Sequence, residues 1–347
     1  MNPYYTSHTK LSLIGAQGQT LLQGARVLVI GAGGLGCPCL QYLAGMGIGL
    51  IGVADYDVVS ESNLHRQILY SYSDIGKSKV SVSVEKLSAQ NPFIKIQAHS
   101  IFVDETNVIS LLEGYDIIVD GTDNFQVRYL INDACVFLNK PLVYGAIHQT
   151  EGYVTVFNYK QSPTLRCMFP SEENSLVQSC ADIGAYNIAT GVVGLMMANE
   201  VMKIVLEHTT VMSSTLWQFD VLTGKSVSIR YQENILSRQI SLERFSQISL
   251  PKEINSEQLK EIINQTNTFF LLDVREANER EIVNIGGLHI PLQNLLQQSS
   301  FPFTFSDQIV VYCQKGMRSK QATQYLIQKG FMNVSSLRGG IENYLAL

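Results

Sequence analysis

The chain has 347 residues, of which 46% are hydrophobic and 16% are charged. At about 150 residues per domain this length predicts two domains, and the apolar content excludes a disordered chain or a small disulfide-stapled protein. The 25 basic and 30 acidic residues give a formal charge of −5. We therefore expect no basic surface for nonspecific binding of nucleic acid or anionic membranes.

The apolar segments and the cysteine content indicate a cellular compartment. The first residues lack the basic-then-apolar pattern of a secretory signal, and the longest apolar segment, 192–206, is interrupted by Asn199, Glu200 and Lys203. A membrane span needs about 18 or more consecutive apolar residues. Six cysteines are too sparse for a disulfide framework and favour reduced thiols. These features predict a soluble, cytoplasmic protein.

Residues 1–235 alternate between apolar, β-branched runs and helix-like segments. A helix is predicted at residues 33–46, and a closing hairpin at 216–230. Strands are predicted at residues 26–30, 48–54, 115–119, 142–144 and 153–157. Strands separated by helices of about 10–15 residues indicate a parallel sheet covered on both faces. The sequence therefore predicts an α/β domain with a Rossmann-like, doubly wound and mostly parallel sheet.

Residues 236–255 form a polar, weakly periodic segment that is predicted to be a linker. A second and shorter α/β series follows at residues 256–347. Its predicted strands lie at residues 269–274, 308–312 and 334–337. A helix is predicted at residues 318–329, and Gly330 ends it. A segment of about 90 residues can fold alone. We therefore expect a second, smaller α/β domain.

A glycine-rich turn predicts a nucleotide site in the first domain. Gly31, Gly33 and Gly36 have the spacing G-x-G-x-x-G between a strand and a helix, and Gly34 adds another glycine. Such glycines let the backbone approach phosphate, and the helix N-terminus favours negative charge. Asp55 ends the next strand, where a carboxylate can accept hydrogen bonds from ribose hydroxyls. A turn that binds nothing and an NAD site remain alternatives, because glycines alone do not separate NAD from ATP.

Charged residues after Asp55 favour a triphosphate over a dinucleotide. Asn63 and Arg66 follow in the next segment and Lys79 comes soon after, whereas Asp123 follows a later apolar strand in the run D-G-T-D-N. The carboxyl ends of parallel strands meet at one edge of the sheet. Cations and a carboxylate at that edge suit ATP with Mg²⁺ better than the pyrophosphate bridge of a dinucleotide.

These motifs resemble the ThiF/MoeB group of adenylyltransferases, relatives of ubiquitin-activating enzymes that activate small ubiquitin-like sulfur-carrier proteins. The resemblance covers about residues 19–231 and rests on G-x-G-G-L-G, D-x-D-x-V-x-x-x-N-x-x-R-Q, G-x-x-K and T-D-N. It implies that Asp55 holds the ribose and that Asp123 binds Mg²⁺. It also implies that Asn63, Arg66 and Lys79 face the phosphates while the carrier's C-terminal carboxylate attacks the α-phosphate.

Cys313 marks a second candidate site, in the loop C-Q-K-G-M-R-S between an apolar strand and a helix. Backbone N–H groups, the helix N-terminus, Lys315 and Arg318 would stabilise a thiolate or a persulfide there. Residues 255–347 resemble a rhodanese domain through this loop, L-D-V-R-E at 272–276 and L-R-G-G at 337–340. The resemblance implies that Cys313 carries a transferable sulfur. A buried structural cysteine and the similar loops of phosphatases remain alternatives.

Together the two resemblances imply adenylation of a carrier that ends in Gly-Gly, followed by sulfur transfer to give a thiocarboxylate. Such fused enzymes serve molybdopterin, thiamine or tRNA-thiolation pathways. The implied partners are the carrier, an upstream sulfur donor such as a cysteine desulfurase, and a second copy of the chain in a homodimer. A catalytically weak carrier-docking protein and an NAD-dependent oxidoreductase remain the alternative functions.

The other cysteines have weaker signals. Cys180 precedes an apolar helix, and in the family a cysteine at the matching position lies near the adenylate and in some members takes part in sulfur or acyl transfer. An inert thiol is the alternative. Cys37, Cys39 and Cys135 stand in apolar surroundings and are predicted to be small packed residues.

The chain departs from the family pattern in two places. Many relatives bind zinc on two C-x-x-C pairs, whereas only Cys167 stands at a matching position here. Because a tetrahedral cysteine site needs four ligands, no zinc is expected. Members often begin R-Y-x-R and place an arginine in the neighbouring subunit's ATP site. The matching residues 4–7 are Y-Y-T-S, and Lys10 is a weak substitute.

Overall fold

The structure is a computed structural model that describes residues 2–170, 184–245, 252–265, 269–298, 300–305, 307–331 and 333–345. The chain forms two compact units, Met1–Phe245 and Ser246–Leu347. Each unit has its own sheet and its own hydrophobic core.

One sheet organises the first unit. Its strands are β1 (Arg26–Ile30), β2 (Leu50–Ala54), β3 (Lys95–His99), β4 (Ile117–Asp120), β5 (Leu142–His148), β6 (Glu151–Phe157), β7 (Thr215–Asp220) and β8 (Ser226–Arg230). They lie in the order β3-β2-β1-β4-β5-β6-β7-β8. The pairs from β3 to β5 are parallel and those from β5 to β8 are antiparallel. The strand order reverses between β1 and β4, where ligands bind in such sheets.

Helices cover this sheet. They are α1 (Thr6–Lys10), α2 (Gly15–Gly24), α3 (Gly36–Met46), α4 (Lys79–Gln90), α5 (Val108–Glu113), α6 (Phe125–Phe137), α7 (Leu165–Met168), α8 (Asn187–Val205) and α9 (Ile235–Arg244). The central strand β1 is apolar on both faces, and Leu28 and Val29 are both fully buried. A parallel strand that is covered on both sides has this pattern. The predicted α/β class is confirmed.

Helix α8 is long and apolar enough to cross a membrane by length and composition, but half of that segment is buried within the structure. Its contacts are with α3, β5 and β6. Val193, Met197 and Val201 are fully buried, and so is Glu200, which pairs with Lys203. A helix that packs on a sheet and has its one buried charge paired has the features of a core helix in a globular domain.

The second unit contains a smaller parallel sheet. Its strands are β9 (Lys252–Ile254), β10 (Phe269–Asp273), β11 (Leu288–His289), β12 (Gln308–Tyr312) and β13 (Asn333–Leu337). Their order is β11-β10-β12-β13-β9, and the neighbouring strands pair in parallel. The helices are α10 (Ser256–Gln265), α11 (Ala277–Ile282), α12 (Leu292–Gln297), α13 (Met317–Gln328) and α14 (Gly340–Leu345). Hydrophobic clusters cover both faces of this sheet.

Several elements differ from the expectations, among them the two-residue strand β11, which was not predicted. Strand β3 was not predicted, because it lies at the sheet edge and three of its side chains are polar. Helix α9 and strand β9 fall within or overlap the segment 236–255, which was predicted to be a linker. The polar composition of α9 conceals its packing, since Ser237 and Ser241 are buried and hydrogen-bonded.

The fully buried carboxylate of Asp133 joins α9 and α7 to α6. Arg166 donates two hydrogen bonds to it, from Nε at 2.8 Å and from Nη2 at 2.7 Å. Arg244 Nη1 and Ser241 Oγ donate at 3.1 and 2.7 Å. Removing one partner from such a buried ion cluster leaves charge without compensation, which typically costs about 3–5 kcal/mol.

We therefore expect Asp133→Asn to lower the free energy of unfolding of the first unit by roughly 3 kcal/mol. Urea denaturation followed by the fluorescence of Trp217, the single tryptophan, measures this unit. The matched control is Glu105→Gln, because Glu105 is an exposed partner of Arg244 at 2.8 Å. That change should cost at most about 1 kcal/mol, and equal losses in the two variants would contradict the prediction.

Candidate nucleotide and sulfur-transfer sites

A cavity of about 280 Å³ lies at the carboxyl ends of β1, β2 and β4. It brings together residues that are far apart in the sequence. Eight of the nine residues predicted to bind nucleotide line it: Gly31, Gly33, Gly34, Asp55, Asn63, Arg66, Lys79 and Asp123. The cavity therefore stands at the reversal of strand order, the position at which this sheet topology favours a ligand.

The glycines divide into two kinds, and Gly36 does not line the cavity. A Cβ on Gly36 would lie 1.9 Å from the carbonyl oxygen of Gly31, and one on Gly31 would lie 2.7 Å from that of Gly121. Gly31 also has a φ of +92°, which favours glycine. At Gly33 the nearest neighbour of a Cβ is Gln67 Nε2 at 3.7 Å. Gly31 and Gly36 thus serve the turn, whereas Gly33 leaves the backbone open to a ligand.

The carboxylate of Asp55 is oriented by two backbone groups. Its Oδ2 accepts a hydrogen bond from Ala32 N, and its Oδ1 accepts one from Asp57 N, both at 2.8 Å. A carboxylate has about four acceptor positions, so positions remain for ribose hydroxyls. Phe102 and Val103 follow β3 and line the same cavity, which supplies apolar surface of the kind that packs on a base.

Two predicted phosphate ligands have exchangeable partners. Arg66 donates from Nη2 to Asn63 Oδ1 at 3.3 Å. Lys79 Nζ donates to Asp57 Oδ2 at 2.9 Å, and the side chains of Lys79 and Asp57 are 6% and 48% exposed. A phosphate that entered the cavity could replace these partners. A charge-assisted bond from Arg66 to phosphate is stronger than its bond to the neutral amide of Asn63, and the half-exposed Asp57 can be solvated when Lys79 turns to phosphate.

Asp123 is exposed, and within the part of the chain that the structure describes it makes no hydrogen bond or ion pair. Nearby, the buried Asp120 accepts hydrogen bonds from the N and Oγ1 of Thr122, and burial raises its pKa. Among the described residues no group of three or more His, Cys, Asp or Glu could hold a metal. Mg²⁺ at a triphosphate needs only one or two carboxylates besides phosphate oxygens. A free Asp123 carboxylate therefore fits Mg²⁺ that arrives with a nucleotide.

The sequence did not point to two further residues that line the cavity. Arg128 is buried and donates to Tyr144 Oη at 2.9 Å and from Nε to Thr122 O at 3.2 Å. Gln67 is also buried; its Nε2 donates to Asn63 Oδ1 at 2.7 Å, and its Oε1 has no hydrogen-bond partner among the residues that the structure describes. An unpartnered buried oxygen at the cavity is a position for a ligand donor. Arg128 lies four residues after Asn124 and has no spacing signal of its own, whereas Gln67 is the last residue of the motif that contains Asn63 and Arg66, although no role was predicted for it.

The cysteines of the first unit have different surroundings. Cys37, Cys39 and Cys135 are fully buried, and burial raises the pKa of each thiol, that of Cys37 to about 12. These thiols have the properties of packed, unreactive residues. Cys167 Sγ accepts a hydrogen bond from Asn234 N at 3.3 Å. Cys180 lies outside the described residues, so its predicted role stays a prediction.

In the second unit Cys313 directly follows β12 and is 1% exposed. Its Sγ accepts a hydrogen bond from Gly316 N at 3.1 Å and lies 3.6 Å from Ser319 Oγ. Gly316 has a φ of +95° and immediately precedes α13. The loop thus holds the sulfur at the start of a helix, where backbone N–H groups and the helix dipole stabilise an anion.

The two cations predicted to act beside Cys313 are both paired. Arg318 forms a fork with Glu279, with distances of 2.6 Å from Nη1 to Oε2 and 2.5 Å from Nη2 to Oε1. This hydrogen bonding lowers the pKa of Glu279 to about 2. Lys315 Nζ lies 3.9 Å from Glu342 Oε2. The loop is therefore less cationic than the sequence suggested.

Comparisons with known proteins match two parts of the chain to different families. Residues 5–235 match the ThiF family and residues 255–347 match the rhodanese-like domain. An "Adenylyltransferase and sulfurtransferase MOCS3" of Culex quinquefasciatus is 36% identical over 97% of this chain and 85% of its own length. A "Probable molybdopterin-synthase adenylyltransferase" of Gracilaria tenuistipitata var. liui is 35% identical over 93% of this chain and 92% of its own length.

A solved structure supports the fold. The crystal structure of E. coli MccB with ATP superposes with a TM-score of 0.59 at 23% identity, covering 67% of this chain and 73% of that one. At this identity the likeness concerns the fold alone. The family matches and the full-length relatives go further: the chain belongs to the ThiF family and carries a rhodanese-like domain after its ThiF domain.

Proposed function

We propose that this protein adenylates the C-terminal glycine carboxylate of a ubiquitin-like sulfur-carrier protein and then supplies sulfur from a persulfide on Cys313. The observation that carries the proposal is the convergence of the glycine turn, Arg66, Lys79 and Asp123 on one cavity, in a chain that also has a rhodanese-type cysteine loop. The names of the relatives, which join adenylyltransferase and sulfurtransferase, support it.

In the adenylation step a carboxylate oxygen of the carrier attacks the α-phosphorus of ATP, and the bond to pyrophosphate breaks. The substrate supplies the nucleophile, so the protein contributes orientation and charge stabilisation. Arg66 would bind phosphate oxygens through its guanidinium fork, and Lys79 would leave Asp57 to act as a point charge. Asp123 would hold Mg²⁺, which when bound neutralises phosphate charge.

In the sulfur step the terminal sulfur of the Cys313 persulfide attacks the acyl carbon and AMP leaves. The product is an acyl disulfide between the carrier and Cys313. A second thiolate then attacks the Cys313 sulfur, which releases the carrier thiocarboxylate and leaves a disulfide on Cys313. The family resemblance implies a role in sulfur or acyl transfer for Cys180, and that role stays a prediction.

The proposal includes partners and a setting. The carrier ends in Gly-Gly, a cysteine desulfurase is the sulfur source, and the enzyme works as a cytoplasmic homodimer without nucleic acid or membrane partners. Molybdopterin, thiamine and tRNA-thiolation pathways all consume such thiocarboxylates. The name of the Gracilaria relative supports the first of these.

A weak carrier-docking protein is a second candidate, and the N-terminal segment favours it. Tyr4 and Ser7 stand at the two arginine positions. The Tyr4 hydroxyl donates to Gln90 O at 3.0 Å, and the neighbouring buried Tyr5, at the motif's own tyrosine position, accepts from Asn91 Nδ2 at 2.9 Å. Lys10 is exposed and does not line the cavity of its own chain. The segment therefore anchors to α4 and brings no arginine for a neighbouring site.

Carrier-dependent exchange of labelled pyrophosphate into ATP tests the adenylation, with candidate Gly-Gly carriers added one at a time. Exchange with one carrier, and none with the same carrier lacking its last glycine, is the expected result. A docking protein would bind the carrier without exchange, and an oxidoreductase would bind a nicotinamide cofactor instead. Mass spectrometry of the carrier after addition of Mg²⁺, ATP and a sulfur donor should show a thiocarboxylate.

A further inference from the structure

The charges around Cys313 are unusual for a site that handles anions. Each cation of the loop has a carboxylate partner: Glu279 for Arg318, and Glu342 for Lys315. These four side chains carry no net charge together. The stabilisation of a sulfur anion therefore falls to the backbone N–H of Gly316, which donates to the Cys313 sulfur at 3.1 Å, and to the start of α13.

The pair of Glu279 with Arg318 is the tighter of the two. It has two short hydrogen bonds, and its side chains are 28% and 31% exposed, whereas those of the Lys315 pair are 64% and 46% exposed. The Arg318 hydrogen bonds also keep Glu279 ionised, since they lower its pKa to about 2. Shielding from water makes this pair less sensitive to screening than the outer one.

Glu279 is also held from its own helix. The backbone N of Glu276 donates to Glu279 Oε2 at 3.1 Å, which completes a capping box at the start of α11. In addition, Arg275 Nη1 donates to Glu279 O at 3.3 Å. The carboxylate therefore remains in place even where Arg318 turns toward an incoming anion, so its negative charge opposes that anion.

Sulfur donors of two charge classes can load Cys313. Thiosulfate transfers its outer sulfur to the thiolate, breaking its S–S bond and leaving as sulfite: Cys–S⁻ + S₂O₃²⁻ gives Cys–S–S⁻ + SO₃²⁻. An alkyl persulfide transfers its terminal sulfur and leaves as a thiolate: Cys–S⁻ + R–S–S⁻ gives Cys–S–S⁻ + R–S⁻. Thiosulfate is a dianion and an alkyl persulfide is a monoanion. The attraction of thiosulfate to a cation, and its repulsion by a carboxylate, are therefore each about twice as large in energy.

We infer that Glu279 is a specificity-determining residue that, by pairing with Arg318, selects monoanionic alkyl persulfides over thiosulfate as the donor to Cys313. The inference rests on the proposed function and adds the charge class of the sulfur donor. Glu279 touches neither sulfur atom. It acts through Arg318, so the change should appear in the donor concentration that half-saturates loading more than in the maximal rate.

The test compares Glu279→Gln with wild type in the full-length protein. Glutamine keeps the length and one hydrogen-bond acceptor but removes the charge. The matched control is Glu281→Gln on the same helix, because Glu281 is exposed and has no hydrogen bond or ion pair among the described residues. Loading of Cys313 is measured by mass spectrometry after alkylation, with thiosulfate, with cysteine persulfide, and with a persulfide on a protein thiol.

We expect Glu279→Gln to lower the half-saturating thiosulfate concentration roughly tenfold at low salt, and less at about 0.5 M salt. The half-saturating concentrations of both persulfide donors should change less than about twofold. Glu342→Gln removes the charge of the carboxylate that pairs with Lys315, the looser of the two ion pairs. It should therefore lower the half-saturating thiosulfate concentration by about twofold. This second variant tests the charge argument even where Glu279→Gln does not fold.

Four results would overturn the inference. Three of them are a wild type that thiosulfate loads as readily as persulfide, an unchanged ratio between donors in both charge variants, and the same gain in Glu281→Gln. An equal gain with all three donors would show a general opening of the site and would also overturn it. No loading of wild type by any donor has a different meaning, since it removes the proposed sulfurtransferase function and the inference together.

Discussion

Replacement of Cys313 by serine is expected to abolish thiocarboxylate formation while leaving carrier-dependent pyrophosphate exchange within about twofold of wild type. A serine hydroxyl fits the loop, because it can still accept the hydrogen bond that Gly316 N now donates to the sulfur. It has no sulfur to form a persulfide. The variant therefore separates the two proposed activities, one in each unit of the chain.

The measurement is mass spectrometry of the carrier, with exchange of labelled pyrophosphate measured on the same preparation. Cys167→Ser is the matched control, since Cys167 is partly exposed, lies in the first unit and has a structural hydrogen bond from Asn234 N. That variant should form the thiocarboxylate normally. Thiocarboxylate formation by Cys313→Ser at the wild-type rate would show that sulfur reaches the carrier by another route.

Regular patterns made much of the fold predictable. The strand Arg26–Ile30 and the hairpin of β7 and β8 were located to within a residue, because buried parallel strands are continuous apolar runs and the turn around Gly224 has a clear signal. Strand β3 and helix α9 were missed for the opposite reason. Strand β3 has three polar residues among five, and helix α9 buries Ser237 and Ser241 while its Ile and Leu side chains are exposed, so neither has the usual pattern of apolar residues facing a core. Each is held by tertiary contacts, with β2 for the strand and with Asp133 for the helix.

The candidate site shows the same division. The glycines and the charged residues of the nucleotide cavity follow strand ends, so their meeting at one sheet edge was predictable from topology. The place of Arg128 in the cavity was not predictable, since it depends on packing. Gln67 closes the motif that contains Asn63 and Arg66, but the motif did not reveal its role. The pairing of Arg318 with Glu279 could not be predicted from the sequence either. Those residues are 39 positions apart, and only the folded sheet brings α11 to the cysteine loop.

Arg66→Ala should reduce carrier-dependent pyrophosphate exchange by about 10²–10³-fold, the usual cost of losing one preorganised group that stabilises transition-state charge. Its hydrogen bonds are to neighbours in the same segment, from Nη1 to His65 Nε2 at 2.9 Å and to Ser62 O at 3.3 Å, and from Nη2 to Asn63 Oδ1 at 3.3 Å. Its removal should therefore leave the urea midpoint of the first unit almost unchanged, as for most surface substitutions.

Lys77→Ala is the matched control for that loss. Lys77 is a cation of the same segment, but it pairs with Asp74 at 3.2 Å and does not line the cavity, so its exchange rate should stay within about twofold of wild type. Arg66→Lys keeps the positive charge but loses the bidentate geometry of the guanidinium, so we expect an exchange rate between those of wild type and Arg66→Ala. Near-normal exchange in Arg66→Ala would exclude the guanidinium from the reaction. A loss as large in Lys77→Ala would mean that general positive charge, and not a fork placed at the phosphates, drives adenylation.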